Sequence, residues 1–337
     1  MQVAETELRG ILREFDFKFE VLKALKETDD ISLYKHREYP LFIIDTEEGR
    51  KLASDPSIVG REFDSLNSAL AMKVWRTIKS LGIIDGPIIF EHVLRGGPGY
   101  RLREAAANEV VVDFYVRPRY VEASYRHHTH NEVELVYEGE LNVKAGKEYT
   151  LIKPDTEATG RSSLRSIEKA INRTEAADSR ITRIVLYGFI SEYAFKVISD
   201  FAQKQGIEVY AIAVEDLTAL ASNGYDMPIY GIDEEAYNNS KILELAAIIP
   251  KKVLLSIAGE YFPGMDQPGD WSERQITLFN GRSFEKGNIR GHIEKSIKAL
   301  DSLYKISRGQ SWFREWHDLI YRSIKEKLLL RAGELYE

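Results

Sequence analysis

The segment from Lys153 to Ser162, KPDTEATGRS, combines acidic residues, hydroxyls and a glycine in a spacing that suits phosphate chemistry. It follows a strand-like run and opens a run whose apolar residues recur at helical spacing. The first N–H groups of a helix lack partners within the helix, and the helix dipole favours an anion there. The segment therefore predicts a phosphate site, with an ordinary N-capped helix start as the alternative.

A second segment, Ile88 to Tyr100 (IIFEHVLRGGPGY), is an apolar strand that runs into a loop of arginine and glycines. Together the two segments resemble the uracil phosphoribosyltransferase branch of the type I phosphoribosyltransferases. The pyrophosphate loop of that family corresponds to residues 94–99, and its 5′-phosphate loop corresponds to residues 154–162. Two matches in the family's order and separation are more specific than either match alone.

A third segment extends the resemblance. The family closes its base-binding site with a loop that holds a Pro-Gly pair and a later Gly-Asp pair, and YFPGMDQPGD keeps both. The matching residues are Tyr261, Pro263, Gly264, Gly269 and Asp270. A rival segment, Gly224 to Glu234, follows a predicted strand more directly but lacks the Gly-Asp pair. We favour the later segment for the base, and a surface turn is the alternative for both.

The resemblance covers roughly residues 60 to 275. It implies an enzyme that transfers ribose 5-phosphate from phosphoribosyl pyrophosphate to uracil or a related nucleobase, with Mg2+ to neutralise the leaving group. It assigns Arg95, Gly96 and Gly97 to the pyrophosphate, with a cis-type peptide after the arginine. It assigns Asp155 to the ribose or to the metal ion, so Arg95 and Asp155 are the expected catalytic residues. The residues implied for the 5′-phosphate are Thr156, Glu157, Ala158, Thr159, Gly160, Arg161, Ser162 and Ser163.

Two departures from the family leave the activity open. Pro154 stands where the family has its first ribose-binding aspartate, and Asp155 stands where the family has a proline. Arg161 replaces a glycine beside the phosphate, where a side chain either obstructs the ligand or adds a charge-assisted contact. The alternative is therefore a non-catalytic protein of this fold that binds nucleotide or phosphoribosyl pyrophosphate as a regulator.

Residues 114–137 lie between the two phosphate segments, where the family has a projecting β-arm that also contacts other subunits. Arg117 and Arg119 are further candidates for the pyrophosphate because arginine offers a planar bidentate fork, although surface arginines are an equal alternative. A cluster of potential transition-metal ligands follows in the arm, and we prefer a solvated arm for it because no further ligand is compelling. The cluster consists of His127, His128, His130 and Glu132.

The composition indicates a sizeable soluble globular protein. The chain has 337 residues, 44% of them hydrophobic, and no run approaches the ~18 apolar residues of a membrane span. The net charge of −7 argues against a broadly basic nucleic-acid surface. The absence of cysteine excludes disulfides and fits a reducing cytosol, and residues 1–12 lack a signal pattern. We expect a cytoplasmic homo-oligomer that binds a nucleobase and phosphoribosyl pyrophosphate and has no membrane partner. A nucleic-acid partner is not favoured; for the C-terminal helices, which we expect to pack on the core or form an oligomer interface, contact with RNA or another acidic partner is the alternative.

The order of elements predicts an α/β fold. Strands and helices alternate from residue 88 to residue 214, which indicates a mainly parallel sheet flanked by helices, with helical additions at both ends. Ligands bind at the carboxyl ends of such strands, where both glycine-containing loops fall. We divide the chain into an N-terminal helical or extended segment (1–60), an α/β domain (61–282) and a C-terminal helical extension (283–337). The predicted elements outside the alternating region are helices at 4–28, 240–249, 285–307 and 311–330 and a strand at 252–257.

Overall fold

The computed structural model describes residues 6–9, 22–109, 111–121, 133–233 and 248–335. The strands are β1 (Lys23–Glu27), β2 (Ser32–Lys35), β3 (Leu41–Asp45), β4 (Ile88–Val93), β5 (Val111–Tyr120), β6 (Val133–Glu138), β7 (Glu148–Pro154), β8 (Arg180–Ser191), β9 (Glu208–Thr218), β10 (Thr277–Phe279) and β11 (Phe284–Lys286). The helices are α1 (Glu47–Ser54), α2 (Gly60–Leu81), α3 (Leu102–Ala105), α4 (Arg161–Ala176), α5 (Glu192–Lys204), α6 (Lys251–Ile257), α7 (Ile289–Ser307) and α8 (Glu315–Glu334), with a 3₁₀ turn at Gly97–Tyr100.

One sheet organises the described residues, in the order β1-β2-β3-β9-β8-β7-β4-β5-β6. The pairs from β3 through β9, β8, β7 and β4 to β5 are parallel, and β1, β2 and β6 add antiparallel edges. The expected architecture, a mainly parallel sheet flanked by helices, is confirmed. Chain order reverses at β4, since β5 lies on one side of it and β7 on the other. The carboxyl ends of β4 and β7 therefore flank a topological switch point, where ligands of such sheets bind.

The central strands are apolar on both faces. In β8, every residue from Ile184 to Ser191 is buried, and in β9 the apolar run Ala211–Val214 is buried too, followed by the buried acids Glu215 and Asp216. Parallel strands covered by helices on both faces have such continuous apolar runs instead of an alternating pattern. The flanking helices α4 and α5 each bury one apolar face, as their sequence spacing predicts.

Three predicted elements are wrong in type or extent. Lys23–Glu27 is a strand, where we expected the end of a helix; most of residues 4–22 lie outside the described ranges. Lys251–Ile257 is a helix and not a strand, because Val253, Leu254 and Ile257 form one buried helical face. The helix expected from residue 285 begins at Ile289, since Phe284–Lys286 pairs with β10. The predicted helix at 240–249 and the His127, His128, His130 and Glu132 cluster also lie outside the described residues, except for residues 248–249.

The two ends of the chain join the same core as its middle. The strand β3 pairs in parallel with β9, so residues 41–45 extend the sheet of the α/β region. The C-terminal helices α7 and α8 pack on each other, with Tyr304 stacked on Tyr321 at 3.8 Å. Among the described helices, none combines the length and the apolar character that a membrane crossing requires.

Candidate functional site

A cleft of about 500 Å³ lies at the switch point between β4 and β7. It is lined by Arg95 and Gly96 of the loop after β4 and by the turn from Asp155 to Ser163. The arm strand β5 and two loops near residues 225 and 270 complete it. The structure thus brings the two predicted phosphate segments into one cavity. Gly97 lies just behind it, where an added Cβ would come within 2.9 Å of the carbonyl oxygen of Pro154.

The turn before α4 presents a group of backbone donors. Gly160 adopts a left-handed conformation (φ +71°) and α4 begins at the next residue, Arg161. Within the described residues, several N–H groups of the turn have no hydrogen-bond acceptor. These are the N–H groups of Ala158, Thr159, Gly160, Ser162 and Ser163. Such donors at a helix N-terminus suit an anion.

Arg161 begins α4 and lines the cleft beside this turn. Its backbone follows the helix from its first residue, and its partly exposed side chain lines the cleft without an ion-pair partner among the described residues. The hydroxyl of Thr159 is 3.2 Å from that of Tyr120, a residue of β5. The turn is therefore bordered by one cation and several hydroxyls, which are groups that bind phosphate.

A buried cation lies beneath the turn. The Lys153 ammonium, with no exposed surface, donates to Asp155 Oδ2 at 2.9 Å and to Glu157 Oε1 at 2.7 Å. Glu157 Oε2 accepts a 2.5 Å hydrogen bond from the hydroxyl of Ser163. Neither carboxylate oxygen of the fully buried Glu91 has a hydrogen-bond partner among the described residues. The network carries three carboxyl groups and one ammonium. Because these groups are buried and close together, burial and their mutual charges both shift their pKa values.

Burial governs the acidity of this network. It raises the pKa of Glu91 to about 7 and the pKa of Asp155 to about 6, against the opposing charge of Lys153. Burial alone would lower the pKa of Lys153, but the carboxylates of Asp155, Glu157 and Glu91 outweigh it and raise that pKa. The lysine therefore stays charged at neutral pH, and it offsets part of the negative charge of the carboxylates in this network.

Asp155 has contacts that do not suit a magnesium ion held by this carboxylate. Its Oδ2 accepts from Lys153 and its Oδ1 accepts from the N–H of Thr156 at 2.9 Å, so a metal ion would compete with an ammonium for the same group. The described residues contain no group of three or more potential metal-ligating side chains. The metal assignment of Asp155 stays a prediction, and these contacts favour the ribose assignment.

The loop after β4 places Arg95 at the rim of the cleft. The cis peptide of this loop joins Leu94 and Arg95, so it precedes the arginine instead of following it. Arg95 Nη1 donates to Glu285 Oε1 at 2.7 Å. The Arg117 guanidinium, on the arm, donates to the carbonyl oxygen of Asn280 at 3.4 Å, whereas Arg119 pairs with Glu134. Arg95 and Arg117 thus contact the hairpin formed by β10 and β11, part of which was expected to be helical.

An aromatic floor supports the cleft. Trp271 lines it and stacks on Tyr100 with ring centroids 4.5 Å apart. The hydroxyl of Tyr100 contacts that of Thr156 at 2.6 Å, and burial raises the pKa of this tyrosine well above its ordinary value. Sequence reasoning missed both rings, although Trp271 directly follows the predicted Gly269-Asp270 pair.

Both rival base-binding segments contribute to the cleft. Gly269 and Asp270 line it, and so do Gly224 and Tyr225 of the other candidate. The structure places Tyr261, Pro263 and Gly264 outside the cleft lining, because the Tyr261 ring is fully buried and its hydroxyl accepts from the N–H of Ile229 at 3.1 Å. Tyr261 therefore joins the two segments to each other.

A buried arginine fixes the second of these loops. Arg274 has no exposed surface and donates to four carbonyl oxygens, those of Ile58, Leu52, Pro268 and Asp55, at 3.0 to 3.1 Å. Burial lowers its pKa to about 10, so it remains charged. Next to it, the Gln275 amide donates to the carbonyl oxygen of Gly96 at 3.2 Å. The loop at residues 268–275 is thus tied directly to the Arg95 loop.

No protein-family model and no curated protein matches this chain. Among solved structures, the AQ2163 protein from Aquifex aeolicus is similar at 10% identity and a TM-score of 0.40, covering 55% of this chain and 91% of that one. Adenine phosphoribosyltransferase from Leishmania donovani is similar at 15% identity and a TM-score of 0.35, covering 56% of this chain and 89% of that one. Orotate phosphoribosyltransferase from Mycobacterium tuberculosis H37Rv, in complex with phosphoribosyl pyrophosphate, is similar at 12% identity and a TM-score of 0.31, covering 50% and 89%.

Proposed function

We propose that this chain transfers the ribose 5-phosphate group of phosphoribosyl pyrophosphate to uracil or a related nucleobase. One observation carries the proposal: the Arg95 loop and the donor-rich turn before α4 line the same cleft at the switch point. A sugar with an anionic group at each end needs two anion sites with room between them. The presence of both loops in one cleft supports the proposal.

The 5′-phosphate is assigned to the turn from Thr156 to Ser163, whose backbone donors lie at a helix N-terminus. Arg161 adds a cation at this end of the cleft. The diphosphate is assigned to the loop after β4, where Arg95 offers a bidentate fork. Asp155, the first residue of the turn that lines the cleft, is assigned to the ribose hydroxyls, from which its carboxylate would accept hydrogen bonds.

In the reaction, a ring nitrogen of the base forms a bond to C1 of the ribose while the bond from C1 to the diphosphate oxygen breaks. Pyrophosphate leaves with the bonding electrons, and the N–H proton of the base passes to the departing pyrophosphate or to water. Magnesium, carried by the diphosphate, supplies further neutralisation of the leaving group. Arg95 stabilises the negative charge that grows on the diphosphate, which is the main electrostatic task of the site.

The base is assigned to the side of the cleft that Trp271, Tyr225 and the Gly269-Asp270 pair line. An aromatic ring there packs against a planar base, and backbone groups of the loop contact its edge. The hydrogen bonds of Arg274 and Gln275 fix the position of this loop relative to the Arg95 loop. Positioning of two bound reactants can lower the barrier by about 7–11 kcal/mol.

The test is the release of pyrophosphate from phosphoribosyl pyrophosphate in the presence of magnesium and each base of a panel. We expect one base, uracil or a related one, to support turnover. Arg95→Ala should lower kcat/KM by about 10- to 100-fold, because a hydrogen bond to a charged group is lost. Arg165→Ala removes an exposed arginine of α4 that pairs with Glu168, and it should keep the wild-type rate.

Failure of every base to release pyrophosphate would remove the enzyme proposal. If nucleotide or phosphoribosyl pyrophosphate still bound tightly, the chain would instead be a ligand-binding regulator. Thermal-shift measurements with nucleoside monophosphates and phosphoribosyl pyrophosphate distinguish these results, because a ligand of the native state raises the unfolding temperature.

A further inference from the structure

Arg95 already has an anionic partner within the chain. Its guanidinium donates to Glu285, which lies 190 residues further along on β11, and this hydrogen bond is the main cause that lowers the pKa of Glu285. The carboxylate is therefore ionised at neutral pH. A diphosphate bound at the loop after β4 would need the same guanidinium, so Glu285 and the ligand compete for it.

The hairpin formed by β10 and β11 (residues 277–286) places Glu285 beside Arg95, which lines the cleft. The Asn280 amide donates to Glu285 Oε2 at 3.0 Å, so both carboxylate oxygens have a partner. At the tip, Gly281 packs so closely on the Tyr137 ring that an added Cβ would lie 2.5 Å from it. The Phe279 ring meets Tyr115 edge-on, with centroids 5.9 Å apart. The hairpin thus bridges from the cleft to the arm.

The Arg95–Glu285 pair lies where a ligand can reach it. On β11, the neighbouring Phe284 is 75% exposed. The Arg95 and Glu285 side chains are 39% and 32% exposed, and ion pairs at such exposure contribute little free energy. A diphosphate with several charges can therefore displace the carboxylate.

We propose that Glu285 is a specificity-determining residue, an internal competitor that occupies Arg95 until a diphosphate-bearing ligand displaces it. The inference rests on the proposed function. A ligand with only a 5′-phosphate binds at the turn before α4 and leaves the Arg95–Glu285 pair intact. A ligand with a diphosphate has to break the pair, and the pair re-forms when pyrophosphate leaves. Glu285 therefore weakens the binding of diphosphate groups selectively.

The experiment compares the wild-type chain with Glu285→Gln in calorimetric titrations with three probes: phosphoribosyl pyrophosphate, ribose 5-phosphate and inorganic pyrophosphate, each with magnesium. We expect Glu285→Gln to bind phosphoribosyl pyrophosphate and inorganic pyrophosphate about two- to fivefold more tightly, the factor that an exposed ion pair supplies. The affinity for ribose 5-phosphate should not change. Glu294→Gln, which breaks an exposed ion pair with Arg290 on α7, is the matched control and should not change any of the three affinities.

Equal or weaker binding of both diphosphate probes by Glu285→Gln would overturn the inference, and so would a gain of the same size for ribose 5-phosphate, which would show only a general charge effect. A failure of base transfer alone leaves a different pattern. In that case the gain for inorganic pyrophosphate persists in Glu285→Gln while no base releases pyrophosphate.

Discussion

Lys153 and Glu157 form an ion pair of 2.7 Å in which the two side chains are 0% and 3% exposed. Lys153 belongs to the last residues of β7, whereas Glu157 accepts a hydrogen bond from Ser163 in the first turn of α4. One buried cation thus connects the strand to the helix whose N-terminus is proposed to bind an anion. The shape of this turn depends on a charge that does not line the cleft.

Removal of that cation should weaken the fold strongly. Lys153→Met leaves the carboxylates of Asp155, Glu157 and Glu91 buried without their counter-charge, and loss of one partner of a buried pair costs about 3–5 kcal/mol. We expect this loss in urea unfolding at pH 7, with a smaller loss at pH 5, where the carboxylates protonate more readily. Lys169→Met, on the exposed side of α4, is the control. An equal loss at both pH values would contradict the role of the carboxylates.

The buried Glu91 should make stability depend on pH. Burial raises its pKa from 4.5 to about 7, so the folded chain holds this proton more tightly than the unfolded chain. The stabilisation that comes from this tighter proton binding is complete below pH 4.5. It falls as the pH rises to about 7 and does not change further at higher pH. Glu91→Gln should be the more stable chain at pH 8, by up to about 3 kcal/mol for a shift of this size, and should differ little at pH 4.

Urea unfolding of the wild-type chain and Glu91→Gln across this range checks the sign. Glu168→Gln removes an exposed carboxylate of α4 and should unfold as the wild type does at each pH. A Glu91→Gln chain whose advantage is the same at pH 4 and pH 8 would show that ionisation of Glu91 has no part in it.

Gly160 should matter for both stability and anion binding. Its φ of +71° disfavours any side chain, and a Cβ would also press on Ala194 and Ile198 at 3.3 Å. Gly82 has a similar φ of +63° but nothing within 4 Å of its added Cβ, so Gly82→Ala measures the conformational cost alone. That cost is about 1–2 kcal/mol.

We expect Gly160→Ala to lose more stability than Gly82→Ala and to bind ribose 5-phosphate at least tenfold more weakly. Thermal unfolding and calorimetric titration measure the two effects. Unchanged binding by Gly160→Ala would place the phosphate elsewhere in the cleft.

Replacement of Arg274 by lysine should destabilise the fold. Its guanidinium donates in several directions at once to four carbonyl oxygens, and an ammonium on a flexible stem cannot reach all of them. We expect Arg274→Lys to cost about 2–4 kcal/mol in urea unfolding, since hydrogen bonds from a charged donor are lost. Arg322→Lys, exposed on α8, should cost almost nothing. Similar stabilities of the two variants would show that the four hydrogen bonds contribute little.

Local sequence determined the parallel core and the two loops that are predicted to bind phosphate. Apolar runs such as β8, and the glycine and hydroxyls that open α4, act within a few residues, so their pattern predicts their structure. The seven residues of α6 show the limit of such a pattern. A short apolar run there fits a strand or a helix, and packing against the core selects the helix.

Only the tertiary structure decided the partners of the site. Nothing local to Arg95 indicates Glu285, 190 residues away, and nothing local to Lys153 indicates that Glu91 on another strand shares its burial. The sequence likewise predicted two alternative segments for the base site, whereas in the fold Tyr225 of one and Asp270 of the other line the same cleft. Contacts between distant segments depend on how sheets and loops pack, because short-range periodicity carries no information about which loops meet.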